Sequence, residues 1–211
     1  FVYKHFSFKL NELLALNENA IHLIDKNYIN QDVLLNLCKN PNGILLVDEI
    51  IFKKDNINLD LLDEMCMIHL SKNLNAISLL EKIMSIDNNK IEWEYLSGNP
   101  NAIHLIEKNL DKVCWHNLSA NINAIPLLIK NFDKIEWFYL SSNPNAIHLL
   151  EKMISIDINK INWDQLSSNP NAIHLLENNL NKLSHYNFLS KNPNAISILE
   201  KNLDKISWFH F

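Results

Sequence analysis

Four histidines occupy one equivalent position in a phrase that this chain repeats, and histidine is a common zinc ligand. They are His22, His104, His148 and His174, with Ser78, Pro126 and Ser197 at the same position elsewhere. Packed helices lie about 8–10 Å apart, whereas a Zn–N bond is about 2.0–2.1 Å long. Neighbouring histidines could share an ion only if their side chains converged. We therefore interpret them as a solvent-exposed stripe that holds no metal.

Cys114 and His116 are the closest approach to a nucleophilic site in the sequence. A nucleophile needs an adjacent base and a third group that orients the base, and no third group is identifiable. Other repeats carry Glu92, Glu136 or Asn162 at the position of Cys114, so this position is variable. The chain has no glycine-rich phosphate loop, zinc-spaced Cys/His set or convergent carboxylate pair. We predict a non-enzymatic protein without a cofactor.

The tryptophans form a ladder that could stack on bases or sugars. Its members are Trp93, Trp115, Trp137, Trp163 and Trp208. Those followed by a complete repeat lie three residues before a leucine, as in Trp137 and Leu140. Aromatic side chains bury large areas and dominate protein cores. A structural spine is therefore the favoured interpretation of the ladder.

The repeated phrase is Asn-x-Asn-(Ala/Gly)-Ile, and it occurs eight times. Its second asparagine is at Asn19, Asn42, Asn75, Asn101, Asn123, Asn145, Asn171 and Asn194. The steps are 22 to 26 residues long, except for one step of 33 residues. Such a period is typical of a solenoid, in which each repeat stacks on its neighbours to bury its apolar face. We predict a single all-α solenoid domain over residues 1–211, with about eight repeats of 22–26 residues.

Each repeat is predicted to hold one α-helix and one shorter helix. In residues 162–181 the α-helix is expected from Pro170 to about Asn178, with Asn169 as its N-cap. At ~100° per residue its apolar face is formed by Ala172, Ile173, Leu175 and Leu176. The segment from Trp163 to the next Asn-Pro fits one turn of α- or 3₁₀-helix. The asparagines beside each proline are expected to form caps, turns and hydrogen bonds between repeats.

The phrase Leu-Ser-x-Asn-Pro-Asn-Ala-Ile-x-Leu-Leu-Glu resembles the leucine-rich repeat variant family. The strongest part is Asn-Pro at 40–41, 99–100, 143–144, 169–170 and 192–193. The resemblance implies alternating α- and 3₁₀-helices stacked in a right-handed superhelix. Some members hold an iron–sulfur cluster, but Cys38, Cys66 and Cys114 lack the required spacing. The repeat sequence is also similar in composition to Asn- and Ile-rich repeats of giant DNA viruses of protists.

Irregular segments interrupt the repeat. Two repeats are longer by about one helical turn, at Lys82–Asp87 and Lys152–Asp157. Residues 43–70 form an enlarged repeat, where Gly43 replaces alanine, Asp55–Asn58 is predicted to turn, and Leu59–Leu70 is predicted to be one long helix.

The two ends carry further expectations. Residues 1–16 are predicted to be a cap-like segment, and residues 205–211 an incomplete final repeat. Since the chain opens on Phe1 and ends on an uncovered aromatic segment, we expect it to continue, or another chain to cover its C-terminal end.

Composition narrows the classes of partner. The net charge is −5, and the chain has no arginine. Because arginine dominates phosphate and base-edge recognition, a nucleic-acid partner is disfavoured. The longest apolar stretch, Ile44–Phe52, contains Asp48 and Glu49, so no membrane span is predicted. Three scattered cysteines suit a reducing compartment, and we expect an intracellular protein, in a host cytoplasm or virion if it is viral.

The predicted function is a repeat scaffold that binds a protein partner, with possible self-association through the C-terminal end. The alternatives are a structural virion or assembly component and, third, a protein that binds single-stranded nucleic acid. The predicted partner-binding stripe varies while the frame stays fixed. It consists of Asn101, His104, Lys108, Asn123, Pro126, Lys130, Asn145, His148, Lys152, Asn171, His174 and Asn178.

Overall fold

The computed structural model describes residues 2–53 and 56–205, with the side chains of residues 2–5 left out. The chain divides into two compact parts, 1–113 and 114–211, where the sequence pattern predicts one continuous domain. Each part is described by itself. The expected aromatic segment at 206–211 lies outside the described residues.

The N-terminal part contains seven α-helices and one short ribbon within its described residues. Its helices are α1 (Val2–Leu16), α2 (Gln31–Lys39), α3 (Ile44–Ile51), α4 (Glu64–Lys72), α5 (Ile77–Ile86), α6 (Trp93–Ser97) and α7 (Ile103–Glu107). The strands are β1 (Phe52–Lys53) and β2 (Asn56–Ile57), which pair antiparallel. Single 3₁₀ turns are Ile21–Leu23, Pro41–Gly43, Leu59–Leu61 and Asn88–Lys90.

The C-terminal part is helical throughout its described regular structure. Its helices are α8 (Trp115–Ala120), α9 (Ile125–Lys130), α10 (Trp137–Leu140), α11 (Ile147–Asp157), α12 (Trp163–Ser167), α13 (Ile173–Glu177) and α14 (Ile196–Glu200). Its 3₁₀ turns are Phe132–Lys134, Ile158–Lys160, Leu180–Lys182, Leu189–Lys191 and Leu203–Lys205. The predicted all-α class is confirmed for the described chain, apart from the small ribbon.

The Asn-Pro-Asn-Ala phrase forms a turn before the helix, not the first turn of the helix. The carbonyl of Asn169 accepts from the backbone N–H of Ala172 at 3.2 Å, and its side chain accepts from the N–H of Asn171 at 3.0 Å. Ala172, at φ −97° and ψ 8°, separates this turn from α13. The predicted helix start at Pro170 is wrong, because an asparagine side chain that bonds two residues ahead closes an Asx turn.

Alanine and leucine form the core of each repeat. Ala172 and Leu176 are fully buried, whereas Ile173 and Leu175 are half-buried and His174 is exposed. The predicted apolar face is therefore confirmed. In the other half of each of these repeats, the leucine three residues after the aromatic is fully buried: Leu96, Leu118, Leu140, Leu166 and Leu189.

The tryptophans are less buried than a spine requires. Trp163 is 8% exposed, but Trp93, Trp115 and Trp137 are half-buried, and Trp208 lies outside the described residues. Leucine, not tryptophan, supplies the continuous buried row. The shorter helices are confirmed as single turns, since α10 has four residues and α12 has five.

In the two longer repeats, the α-helix that begins at the isoleucine of the repeated phrase is lengthened, as predicted. α5 has 10 residues and α11 has 11, compared with five in α7. In both, a serine in the added turn donates to a helix carbonyl: Ser85 to Lys82 and Ser155 to Lys152, each at 2.7 Å.

The enlarged repeat at 43–70 departs from its prediction. The long helix expected over Leu59–Leu70 is wrong: Leu62 is extended, at φ −87° and ψ 93°, and α4 begins only after Asp63. Asp63 accepts from the N–H of Cys66 at 2.8 Å, and this N-cap bond defines the start of α4. The β1–β2 ribbon, with Phe52 opposite Ile57, was not predicted, and Asp55 lies outside the described residues.

Candidate interaction surface

A row of buried asparagines joins successive repeats within each part. Six of these asparagines, each the first of its phrase, donate a side-chain amide to one or two carbonyls of the preceding repeat. Asn169 donates to Ser141 at 3.2 Å and to Asn143 at 2.9 Å, and Asn99 donates to Ser71 and Asn73. Asn40, Asn73, Asn143 and Asn192 make equivalent bonds. These bonds confirm the prediction of inter-repeat hydrogen bonds. The carbonyls of Asn73, Asn143 and Asn169 accept them in addition to the alanine N–H of their own phrase.

The second asparagine of the phrase also contributes to the frame. Its amide donates to the residue between the two asparagines of the preceding repeat: Asn101 to Leu74 at 3.0 Å, Asn145 to Ile122 at 2.8 Å and Asn171 to Pro144 at 2.9 Å. These predicted stripe residues are exposed, but they also hold adjacent repeats together. The histidine and lysine positions thus carry most of the variable chemistry of the stripe.

All twelve predicted stripe residues are exposed. They are Asn101, His104 and Lys108 in the N-terminal part, and Asn123, Pro126, Lys130, Asn145, His148, Lys152, Asn171, His174 and Asn178 in the C-terminal part. Each group lies opposite the buried alanine and leucines of its own helix. Asn178 turns back on that helix and donates to the carbonyl of His174 at 3.3 Å. The ammonium of Lys152 lies 5.3 Å from the ring centroid of Phe132.

Two of the histidines pair with a glutamate of the preceding repeat. His104 Nε2 lies 2.9 Å from Glu81 Oε1, and His174 Nε2 lies 3.1 Å from Glu151 Oε1. Glu81 and Glu151 were missed as surface residues, although both occur six residues after the second asparagine of their phrase. The contact depends on the lateral offset of neighbouring helices, which the sequence period does not specify.

The remaining stripe histidine, His148, has no such partner. In the repeat before His148, the glutamate position holds Ile129, which is 54% exposed. Within the described residues His148 makes no ion pair. Whether a stripe histidine is paired therefore depends on whether the preceding repeat carries glutamate or isoleucine at this position.

Two cysteines meet inside the N-terminal part, against the expectation of scattered cysteines. Cys38 on α2 and Cys66 on α4 are both free and fully buried. Cys38 stands where other repeats carry a buried serine, such as Ser119, whose hydroxyl accepts from the N–H of Glu136 at 3.0 Å. The pKa of the Cys38 thiol is raised, first by its hydrogen bond with the Cys66 thiol and then by burial.

Cys114 lies apart from that pair and is only partly buried. Its Sγ is 3.9 Å from Nδ1 of His116, and the His116 ring meets the Tyr139 ring edge-on at 5.1 Å. Within the described residues no group of three or more His, Cys, Asp or Glu side chains could hold a metal ion. None of the described helices has the length and apolarity needed to cross a bilayer.

Comparison with known proteins finds no family model, no curated protein and no solved structure that matches this chain.

Proposed function

We propose that this chain is a right-handed α-solenoid of about eight repeats, each with one α-helix and one shorter α- or 3₁₀-helix. Two features support the proposal. The same asparagine-to-carbonyl bonds recur between successive repeats within each part, with Asn192 donating to Asn169 and Asn169 donating to Asn143. In addition, successive short helices pack on each other, as α2 does on α4 and α8 on α10.

We further propose that the protein is a non-enzymatic scaffold that binds a protein partner through the exposed stripe. The observation that carries this proposal is the separation of roles within each repeat. Asparagine, alanine and leucine hold the frame, while the exposed positions change type from repeat to repeat. Changing exposed residues on a constant frame is how repeat proteins acquire specific partners. The free, buried thiols of Cys38 and Cys66 favour an intracellular location.

The test compares two charge-reversed variants of the full chain. The stripe variant carries Lys108→Glu and Lys130→Glu. The control carries Lys160→Glu and Lys182→Glu, which are also exposed but lie in 3₁₀ turns outside the stripe. Each is used as bait in lysate of the source cells after melting temperatures confirm the fold. We expect protein partners that bind wild type and control but not the stripe variant. Equal capture by all three proteins, or capture that nuclease abolishes, would contradict the proposal.

An assembly component is the second candidate, and helix α1 favours it. Phe6, Leu10, Leu13 and Leu16 are exposed along one side of α1, at 70%, 47%, 59% and 59% of their full exposure. Their spacing of four, three and three residues forms a continuous apolar strip on a helix. Sedimentation of the wild-type protein separates the two candidates: a scaffold is monodisperse alone, whereas an assembly component self-associates with increasing concentration.

A further inference from the structure

One repeat exposes an isoleucine at a position where the other repeats carry aspartate or glutamate. Ile129 occupies the glutamate position, and Pro126 occupies the histidine position, both on α9. Ile122 lies one helical turn earlier along the chain, in the turn between the two asparagines. Ile122 is 43% exposed and Ile129 is 54% exposed. We call Ile122, Pro126 and Ile129 the apolar patch.

The next repeat places cationic groups beside this patch. His148 is the histidine that lacks a carboxylate, because the residue that would supply one is Ile129. Lys152 is exposed on the same helix as His148. The nearest acid in sequence, Glu151, is paired with His174 of the following repeat. Lys152 therefore makes the edge of the patch formed by α11 cationic.

We propose that the apolar patch, with His148 and Lys152, is the docking site for an acidic, apolar segment of a protein partner. This inference rests on the scaffold function proposed above. The partner's apolar side chains cover Ile122, Pro126 and Ile129, and its carboxylates pair with His148 and Lys152. One carboxylate takes the place that glutamate has in the His104 and His174 pairs.

The chemistry of the surface selects this occupant over others. Exposed apolar groups rimmed by charge are typical of protein-binding surfaces, and opposite charges at the rim fix register and speed association. A second copy would bring His148 and Lys152 against their own counterparts or against another apolar patch without acids. A nucleic acid would satisfy the cations but would leave Ile122 and Ile129 against phosphate and sugar.

Random-peptide display against the immobilised full-length chain provides the probe. The affinities of the enriched peptides are then measured by calorimetry for wild type and three variants. Ile129→Glu places a carboxylate where Glu151 stands in the next repeat, so it fills the patch with charge and gives His148 an internal partner. His148→Gln removes the imidazole that would pair with a carboxylate of the partner. Ile196→Glu is the matched control, because Ile196 is 62% exposed on α14, two repeats beyond the repeat that carries His148.

We expect enriched peptides that combine aspartate or glutamate with large apolar residues. Ile129→Glu should weaken them about tenfold or more, since it removes an apolar anchor and places a carboxylate against the acidic residues of the peptide. His148→Gln should weaken them less, and Ile196→Glu should leave them unchanged. The melting temperature of Ile129→Glu should stay at or slightly above that of wild type.

Three results would overturn the docking site. Enriched peptides could be basic or could bind Ile129→Glu as tightly as wild type. If the stripe variant, Lys108→Glu and Lys130→Glu, no longer bound such peptides, the stripe would still be a scaffold surface. Only the proposed docking site would then be refuted. Conversion of a wild-type dimer to a monomer by Ile129→Glu would assign the patch to a second copy. Single-stranded RNA binding abolished by Ile129→Glu would assign it to nucleic acid.

Discussion

The side chain of Asn192 donates to the carbonyl of Asn169, the equivalent residue one repeat earlier, over 2.8 Å. Asn169 in turn donates to the carbonyl of Asn143 over 2.9 Å. Each asparagine thus serves as donor to one repeat and, through its backbone, as acceptor for the next. The same side chain also accepts from the N–H two residues ahead. Any other residue at this position would therefore lose at least one of these bonds.

Substitution of Asn169 tests how much this row contributes. Asn169 is fully buried, and Asn169→Asp keeps the acceptor for the N–H of Asn171 but removes both donated bonds. It also places a carboxylate against two carbonyl oxygens, so we expect a loss on the order of 3 kcal/mol in the free energy of unfolding. Urea denaturation at neutral pH measures it. The exposed Asn178→Asp should cost less than about 0.5 kcal/mol, and equal losses would refute a structural role for the row.

The tryptophans should differ according to their burial. Trp163 is 8% exposed, so Trp163→Ala should cost about 3–5 kcal/mol by leaving a cavity. Trp137 is half-buried, and its ring lies edge-on to Phe132 with 5.4 Å between the ring centroids. Trp137→Ala should therefore lower the free energy of unfolding by roughly half as much. Thermal and urea unfolding of the two variants measure this order. A larger loss for Trp137→Ala would restore the spine interpretation.

The repeat phrase predicts the frame well because it encodes local rules. Asn169 must bond to Asn171, and Ala172 and Leu176 must lie on one face, whatever surrounds the helix. The helix start is missed because Pro170 fits the second position of a turn as well as it fits a first helical position. Both assignments leave the proline without an unsatisfied N–H.

Contacts between repeats are less predictable. The His174–Glu151 pair and the meeting of Cys38 with Cys66 both depend on how far neighbouring helices are offset sideways. A period of 22 to 26 residues fixes which repeat follows which, but not this lateral geometry.

Thiol reactivity distinguishes the three cysteines. Cys38 and Cys66 are fully buried, and the raised pKa of Cys38 keeps it a neutral thiol, which is a poor nucleophile. A chromogenic disulfide reagent should therefore label one thiol, Cys114, in the folded protein and the other two only after unfolding. Cys114→Ser should abolish the fast phase. A fast phase that persists in this variant would show that the Cys38–Cys66 pair opens in the native state.

Gly43 provides a case in which the consensus residue should be harmful. Alanine occupies this position in the other seven phrases, and alanine normally stabilises a helical backbone more than glycine does. A Cβ on Gly43 would lie 2.5 Å from the backbone oxygen of Leu37. We expect Gly43→Ala to destabilise by about 1–3 kcal/mol through overpacking. The exposed Gly98→Ala should change the free energy of unfolding by less than about 1 kcal/mol, and stabilisation by Gly43→Ala would contradict the close approach.

Acid should weaken the start of α4 through Asp63. Its carboxylate accepts from the N–H of Cys66 at 2.8 Å and from the side chain of Gln31 at 2.7 Å. The pKa of Asp63 is lowered below its ordinary value, first by the Cys66 N–H and further by Gln31, against a smaller opposing effect of burial. Because the folded carboxyl has the lower pKa, its contribution is complete above the unfolded value. That contribution is lost as the pH falls through the folded pKa.

The measurement that isolates this effect is the difference between wild type and Asp63→Asn. Asparagine keeps the cap acceptor but does not titrate, so the stability of wild type relative to Asp63→Asn should fall as the pH drops from neutral to about 3. Since Asp63 is exposed, solvent screening should keep this change under about 1 kcal/mol. Asp63→Ala should cost about 1 kcal/mol at neutral pH, where Asp63→Asn costs little, because only alanine removes the cap. A wild-type-minus-Asp63→Asn difference that stays constant or grows in acid would mean that the N-cap bond does not favour the charged carboxylate.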